Sequence, residues 1–381
     1  MTAHVNLERL GSDEPLVCVR PPGWITPTSG PLLDLLVWVE RAEELGFDGA
    51  FVGDRMLAQA TTPGGAVVYG ASMLDVTVAL AAMAARTERI LLGPLVLVFP
   101  YRHPVQLAKT FASLDAASGG RVILGAGIGW NAREFEVLGI PMAGRGAQFE
   151  ESLSLVRQLW SGEPVTHEGE TWQFSDIQVV PPPARPGGPP VWLASFSPGQ
   201  ALDWTGELPP TTQRQLDRVG RLADGWVPLV YSASKKRRLE PETLASAWKL
   251  VLESARTAGR LRRDIDFVFS DWCYVLDGPG AEERCKQALA RFFDGSWEDA
   301  QRTYTIGTPD EVLDKIRAHT AGIDHVDAYI LTPLSDETEQ MDLLADIAGE
   351  LRRGTPRPKL SPAASPMARR DLTTPGGGDG A

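Results

Sequence analysis

Cysteine, histidine and positive charge are all scarce in this 381-residue chain, and each scarcity closes off a class of function. The three cysteines, Cys18, Cys273 and Cys285, lie far apart without metal-ligand spacing, which points to reduced thiols in a cytoplasmic protein. The five histidines (His4, His103, His167, His319 and His325) form no i, i+4 pair and no cluster, so no metal site is expected. A net charge of −12 argues against nucleic acid or an anionic membrane as the main partner. No apolar run reaches a membrane span; the longest, residues 90–101, is broken by Gly93 and Pro94. The first residues, MTAHVNLERLGSDE, lack the basic and then apolar pattern of a secretory signal.

What is present suits a large α/β core. Hydrophobic residues make up 43% of the chain, and its length fits an α/β barrel with insertions. Residues 1–14 are polar and expected to be flexible, 15–353 to form the barrel, and 354–381, rich in Pro, Gly, Ser and Thr, to be disordered. Candidate strands fall at 16–20, 48–53, 89–98, 122–124, 191–194, 226–231, 265–276 and 325–331, with helical patterns between them. Residues 161–180 alternate around Gly169 like a hairpin outside that rhythm. The basic run Lys235–Arg238 reads as the solvated start of a polar helix. The expected fold is α/β, a (β/α)8 TIM barrel with insertions after strands 2, 4 and 5. A doubly wound sheet also fits the alternation, but no dinucleotide fingerprint follows the first strand.

One stretch stands out. Val122-Ile123-Leu124 is a short apolar run suited to a strand covered on both faces. Gly125, Gly127 and Gly129 then recur at every second position, leaving one strand face bare, so that something bulky can lie against the backbone. Trp130 and a long loop follow. A buried parallel strand opening into such a loop delivers a site at its carboxyl end, although a plain tight turn would use the same glycines.

Several stretches resemble the bacterial luciferase-like oxidoreductases, which are flavin- or deazaflavin-dependent barrels. The matching segments are GFDGAFVGD (46–54), ARTERILLGPLVLVFPYRHPVQLAK (85–109), ASLDAASGGRVILGAGIGWNAREFEVLG (112–139), RG (145–146), LSLVRQLWSGE (153–163), PPVWLAS (189–195), RVGRLADGW (218–226) and GTPDEVLDKIRAHTAGIDHV (307–326). They keep family order across roughly residues 16–350. The resemblance implies a reduced FMN or a deazaflavin coenzyme of the F-420 type at the carboxyl ends of the strands. It implies ring support from Val96 and Leu97, often through an unusual cis peptide, and from Ala126, Gly127, Ile128 and Gly129. It implies phosphate contacts at Ala194, Ser195 and Ser197, and a polar residue near the ring at Asp54. Asp224-Gly225-Trp226 reads as a structural turn with a packed aromatic.

The departures shape the expected chemistry. Deazaflavin-dependent alcohol dehydrogenases of this family carry His after the second-strand Asp and Glu past the fourth-strand glycines; here those positions hold Arg55 and Trp130. Alcohol oxidation needs a group to take the hydroxyl proton, and neither a guanidinium nor an indole can do so. The loop 199–212 is also lengthened, which leaves Ser195-Phe196-Ser197 and the helix start at Thr211-Thr212, with Arg214, as rival phosphate contacts. The expected activity is therefore a monooxygenase using reduced FMN and O₂ on a small organic substrate, the FMN delivered by a separate reductase. A deazaflavin-dependent reductase acting on an unsaturated substrate, and a non-catalytic flavin-binding subunit, are the alternatives. Asp54, Arg55, His103 and Trp130 are the pocket candidates, with Trp24, Phe99 and Tyr101 as apolar lining, and family barrels of this kind often form homodimers.

Overall fold

The computed structural model describes residues 13–21, 32–57, 73–196 and 208–353. In chain order the strands are β1 (Leu16–Val19), β2 (Gly49–Val52), β3 (Leu91–Pro94), β4 (Leu97–Val98), β5 (Leu124–Gly127), β6 (Val165–Glu168), β7 (Gln173–Ile177), β8 (Val191–Ser195), β9 (Gly225–Pro228), β10 (Tyr231–Ser232), β11 (Arg237–Arg238), β12 (Asp266–Val275), β13 (Thr305–Gly307) and β14 (Ala328–Pro333). The main sheet runs β3-β2-β1-β14-β12-β9-β8-β5-β4 with parallel neighbours. Its two edges, β3 and β4, belong to one stretch of chain, and Leu92 bridges Val122, so the sheet meets itself as an eight-position barrel.

Alternation along each strand sorts the side chains. Leu16, Cys18, Phe51, Leu91, Ile123, Trp192, Val227, Val268, Ala328 and Ile330 fill the interior. Val17, Val19, Leu92, Leu124, Leu193, Phe267 and Tyr329 face the surrounding helices. Because both faces are covered, these strands read in sequence as continuous apolar runs.

The helices start and stop for local reasons. Asp75 caps Val76–Arg86 by accepting from the Thr77 and Val78 amides, while Thr308 and Glu311 form a reciprocal cap on Pro309–Thr320. Helix Leu32–Glu44 buries Val39 and Ala42 against the barrel.

The cis peptide that the resemblance implied falls at Leu95–Val96 and divides the third strand into two pieces. The fourth strand runs on into its glycines as far as Gly127, in keeping with the Gly-rich strand end read from the sequence. The structure departs from the sequence reading in two places. After β12 the chain adds helix Trp297–Thr303 and then β13, which pairs with β12. Arg237 and Arg238 lie in β11, paired with β10, and not on a helix; the Arg238 guanidinium makes a two-pronged pair with the buried Asp271 carboxylate at 2.9 and 2.7 Å. The hairpin expected at 161–180 is present as β6–β7.

Candidate functional site

Parallel strands place all their carboxyl ends at one mouth, and the loops there carry the candidate residues. Alternation divides them. Val96 and Ala194 turn inward and pack on the interior core. The side chains of Leu97 and Ala126 are fully buried toward the helices, and Ile128 packs against the same layer, so these three offer the mouth only their backbone.

The glycine face is not bare, which corrects the sequence reading. A Cβ at Gly125 would stand 2.1 Å from the Pro94 carbonyl oxygen, and one at Gly127 would stand 2.9 Å from Val96 Cγ2. The β3–β4 break folds back into the space that the glycines vacate. The surface presented to the mouth is therefore a partly exposed Val96 side chain seated on Gly127, and not open backbone. Gly129, at φ +75°, leaves the strand through the left-handed region.

Asp54 follows β2 and is already engaged. Its Oδ2 accepts from the Val98 amide at 2.9 Å, and Arg102 grips both oxygens at 2.6 and 2.9 Å. The two side chains are only 2% and 9% exposed, so this is a desolvated, bidentate pair. Arg55 points elsewhere, its guanidinium 5.6 Å from the centre of the Trp130 ring. Trp130 is 60% exposed. Phe99, an expected lining residue, is fully buried on the helix side against Phe149. His103 caps helix Pro104–Ser118, with Nδ1 accepting from the Val105 amide at 3.2 Å, and its ring meets Trp172 edge-on. Burial holds the His103 pKa below the ordinary imidazole value, and as an acceptor Nδ1 carries no proton.

Three residues that the sequence reading passed over complete this sector. Glu134, 3% exposed, accepts from the Met56 and Leu57 amides, both at 3.0 Å, and from the Tyr101 hydroxyl at 2.8 Å. Burial, with the Glu134 carboxylate next, pushes the Tyr101 phenol well above its usual value, so it stays a donor. Arg145 donates to the Gly129 and Met142 carbonyls and ties the following loop to the end of β5. Thr332 is fully buried, lies two residues past inward-facing Ile330, and its hydroxyl has no hydrogen-bond partner among the described residues.

At the fifth barrel position, Ser195 follows inward-facing Ala194, and its Oγ accepts from Trp226 Nε1 at 3.2 Å on the helix side. Ser197 and Trp24 lie outside the described residues. Helix Pro210–Leu222 begins behind Pro209 with no side-chain cap on Pro209, and its Thr212 and Gln213 amides donate to the Pro209 carbonyl. Thr212 is buried in that turn, while Thr211 and Arg214 are exposed. Trp226 is buried and stacked on Trp248 at 5.9 Å, and a Cβ at Gly225 would strike Trp192, in keeping with a structural Asp224-Gly225-Trp226 turn.

Known proteins fit this geometry. The model of the luciferase-like monooxygenase family matches residues 16–209. The F420-dependent glucose-6-phosphate dehydrogenase of Beutenbergia cavernae is 33% identical over 62% of this chain and 62% of its own length. The chain thus spans about three fifths of that relative. The 4-hydroxyprotoasukamycin monooxygenase of Streptomyces nodosus subsp. asukaensis is 28% identical over 73% of this chain and 66% of its own. Among solved structures, monooxygenase RslO1 from Streptomyces bottropensis superposes with a TM-score of 0.69, at 25% identity, over 87% of this chain and 98% of its own. A family match across half the chain, on a barrel whose third and fourth strands interlock as described, places this protein in the luciferase-like monooxygenase family.

Proposed function

We propose that this oxidoreductase works in the monooxygenase mode, with reduced FMN and O₂, on a small organic substrate. One observation carries the reading: Asp54 and Glu134, the carboxylates that lie buried on the described parts of the loops after β2 and β5, are saturated with donors. Asp54 is held by Arg102 and Val98, and Glu134 by Tyr101 and two amides. A residue so bound is poorly placed to take a hydroxyl proton, so the chain's own contribution is binding, orientation and exclusion of water.

The residues fit a flat ring. Val96, fixed from behind by Gly127, backs one face, and Ala194 leaves room beside it. The coenzyme phosphate would lie between the end of β8 at Ser195 and the start of helix Pro210–Leu222, where Arg214 is exposed and supplies a positive charge. Reduced FMN bound there would supply the electrons that activate O₂, and a separate reductase would deliver it.

A second reading has its own support. The Beutenbergia relative is F420-dependent, so hydride transfer from a reduced deazaflavin to an unsaturated substrate fits the same mouth and needs no proton acceptor at positions 55 and 130. Anaerobic titration of the protein with reduced FMN and with reduced F420, followed by fluorescence, separates the two. Tight binding of FMN, with oxygen consumption on aerobic mixing, supports the first; binding of the deazaflavin alone replaces it with the second.

A further inference from the structure

The structure assigns to Glu134 the role of a positioning residue that latches the loop after β2 onto the loop after β5 and so fixes the Arg55–Trp130 pair at the mouth. Three strand-end loops converge on this one carboxylate. The loop after β2 sends the Met56 and Leu57 amides to Oε1, each at 3.0 Å. The segment after β4 sends the Tyr101 hydroxyl to Oε2 at 2.8 Å. Glu134 itself sits in the first turn of helix Ala132–Leu138, whose cap is Asn131, next to Trp130.

The latch points bracket the pair. Arg55 directly precedes the two amides, and Trp130 lies four residues before Glu134, so the carboxylate joins the two backbones that carry the cation and the ring. Tyr101 is buttressed in turn by an edge-on contact with Phe135 at 5.0 Å. A carboxylate has acceptor capacity for all three donors, and its burial makes each hydrogen bond costly to lose without replacement. An apolar or shortened side chain at 134 would leave two amides and a phenol without a partner, and the loop after β2 would part from the rim.

Whether the latch also shields a coenzyme rests on the proposed function, and the experiment keeps the two ideas apart. Hydrogen exchange at the Met56 and Leu57 amides reads the latch alone. Exchange at both should accelerate at least tenfold in Glu134→Ala and in the shorter carboxylate Glu134→Asp. It should be near wild type in Glu134→Gln, whose amide oxygen still accepts and whose NH₂ can donate to the Tyr101 oxygen. Tyr101→Phe, which removes only the third donor, should leave those two amides protected. The second readout is iodide quenching of FMN fluorescence in the holoprotein: the quenching constant should rise severalfold in Glu134→Ala and Glu134→Asp at an unchanged FMN dissociation constant. Should Glu134→Ala fail to fold, the Asp and Gln variants carry the comparison. Unchanged exchange in Glu134→Asp, or acceleration in Glu134→Gln equal to that in Glu134→Asp, overturns the latch. Failure of the wild-type chain to bind FMN or F420 overturns the functional reading and leaves the exchange result standing.

Discussion

Val96 occupies the space that a side chain at position 127 would need, with Cγ2 2.9 Å from where that Cβ would stand. Position 125 is tighter still, because the obstacle there is the Pro94 carbonyl at 2.1 Å, which is backbone and cannot rotate away. Two alanine variants should therefore behave differently. Gly125→Ala should cost about 3 kcal/mol or more, since overpacking against the main chain has no cheap relaxation. Gly127→Ala should cost roughly 1 kcal/mol in stability but displace Val96, weakening coenzyme binding at least tenfold. Chemical denaturation and fluorescence titration measure the two effects; equal affinity in Gly127→Ala would remove Val96 from the ring-support role.

The pair Asp54–Arg102 supports the same wall from the side, because Asp54 also holds the Val98 amide. Arg102→Met should destabilise the fold by about 3–5 kcal/mol, as a nearly buried carboxylate loses its counter-ion. Asp54→Asn should be milder, since the amide oxygen still accepts from Val98. Comparing the urea midpoints of the two variants checks the order, and Arg102→Met as stable as wild type would show that the pair is not desolvated in solution.

Arg121 shows how much one side chain can organise. It is 2% exposed and spends all five N–H groups on Ser118 O, Thr87 Oγ1, Ile90 O, Ala84 O and Thr87 O, stitching the end of helix Val76–Arg86 to the approaches of β3 and β5. Arg121→Lys has too few donors and the wrong fork geometry, and should cost about 2–3 kcal/mol; Arg121→Met should cost more, because it strands the carbonyls. The site lies at the opposite end of the barrel from the mouth, so kcat at low temperature should be unchanged. A drop in activity without a drop in stability would contradict this assignment.

How far the sequence could be read follows from the same particulars. Parallel strands such as Leu16–Val19 and Ala328–Pro333 are covered on both sides and announce themselves as apolar runs, so the barrel and the order of its strands were visible. The hairpin around Gly169 was visible by alternation. The glycines at 125 and 127 were visible too, but not what fills their space, because Pro94 and Val96 arrive from a break in another strand. Strand Thr305–Gly307 is three residues long, too short for any period to show. Glu134 reads as a solvent-facing acid on a short helix, and becomes buried only when loops some thirty and eighty residues away close on it. Arg238 reads as part of a basic run, and its partner Asp271 lies 33 residues on. Side chains whose environment is made by distant segments leave no local signal.

At the amino end of the strands, Asp266 accepts from Trp192 Nε1 at 3.0 Å, and burial, helped by the neighbouring charge of Asp327, pushes its carboxyl up to about 7. Asp224 adds to this, while the indole N–H and Arg262 oppose it. An unfolded Asp titrates near 4. Between those two values the folded chain therefore holds a proton that the unfolded chain has released. Stability contributed by the neutral form is present below about pH 4 and is lost as pH rises toward 7. Asp266→Asn keeps an acceptor for the Trp192 indole and removes the titration. The variant should match wild type near pH 4 and exceed it by up to about 4 kcal/mol at pH 8. The measurement is the difference between the urea midpoints of the two proteins across that range, which cancels the titration of every other group. A difference that shrinks or reverses as pH rises would show that Asp266 is ionised and favourably paired in the native protein.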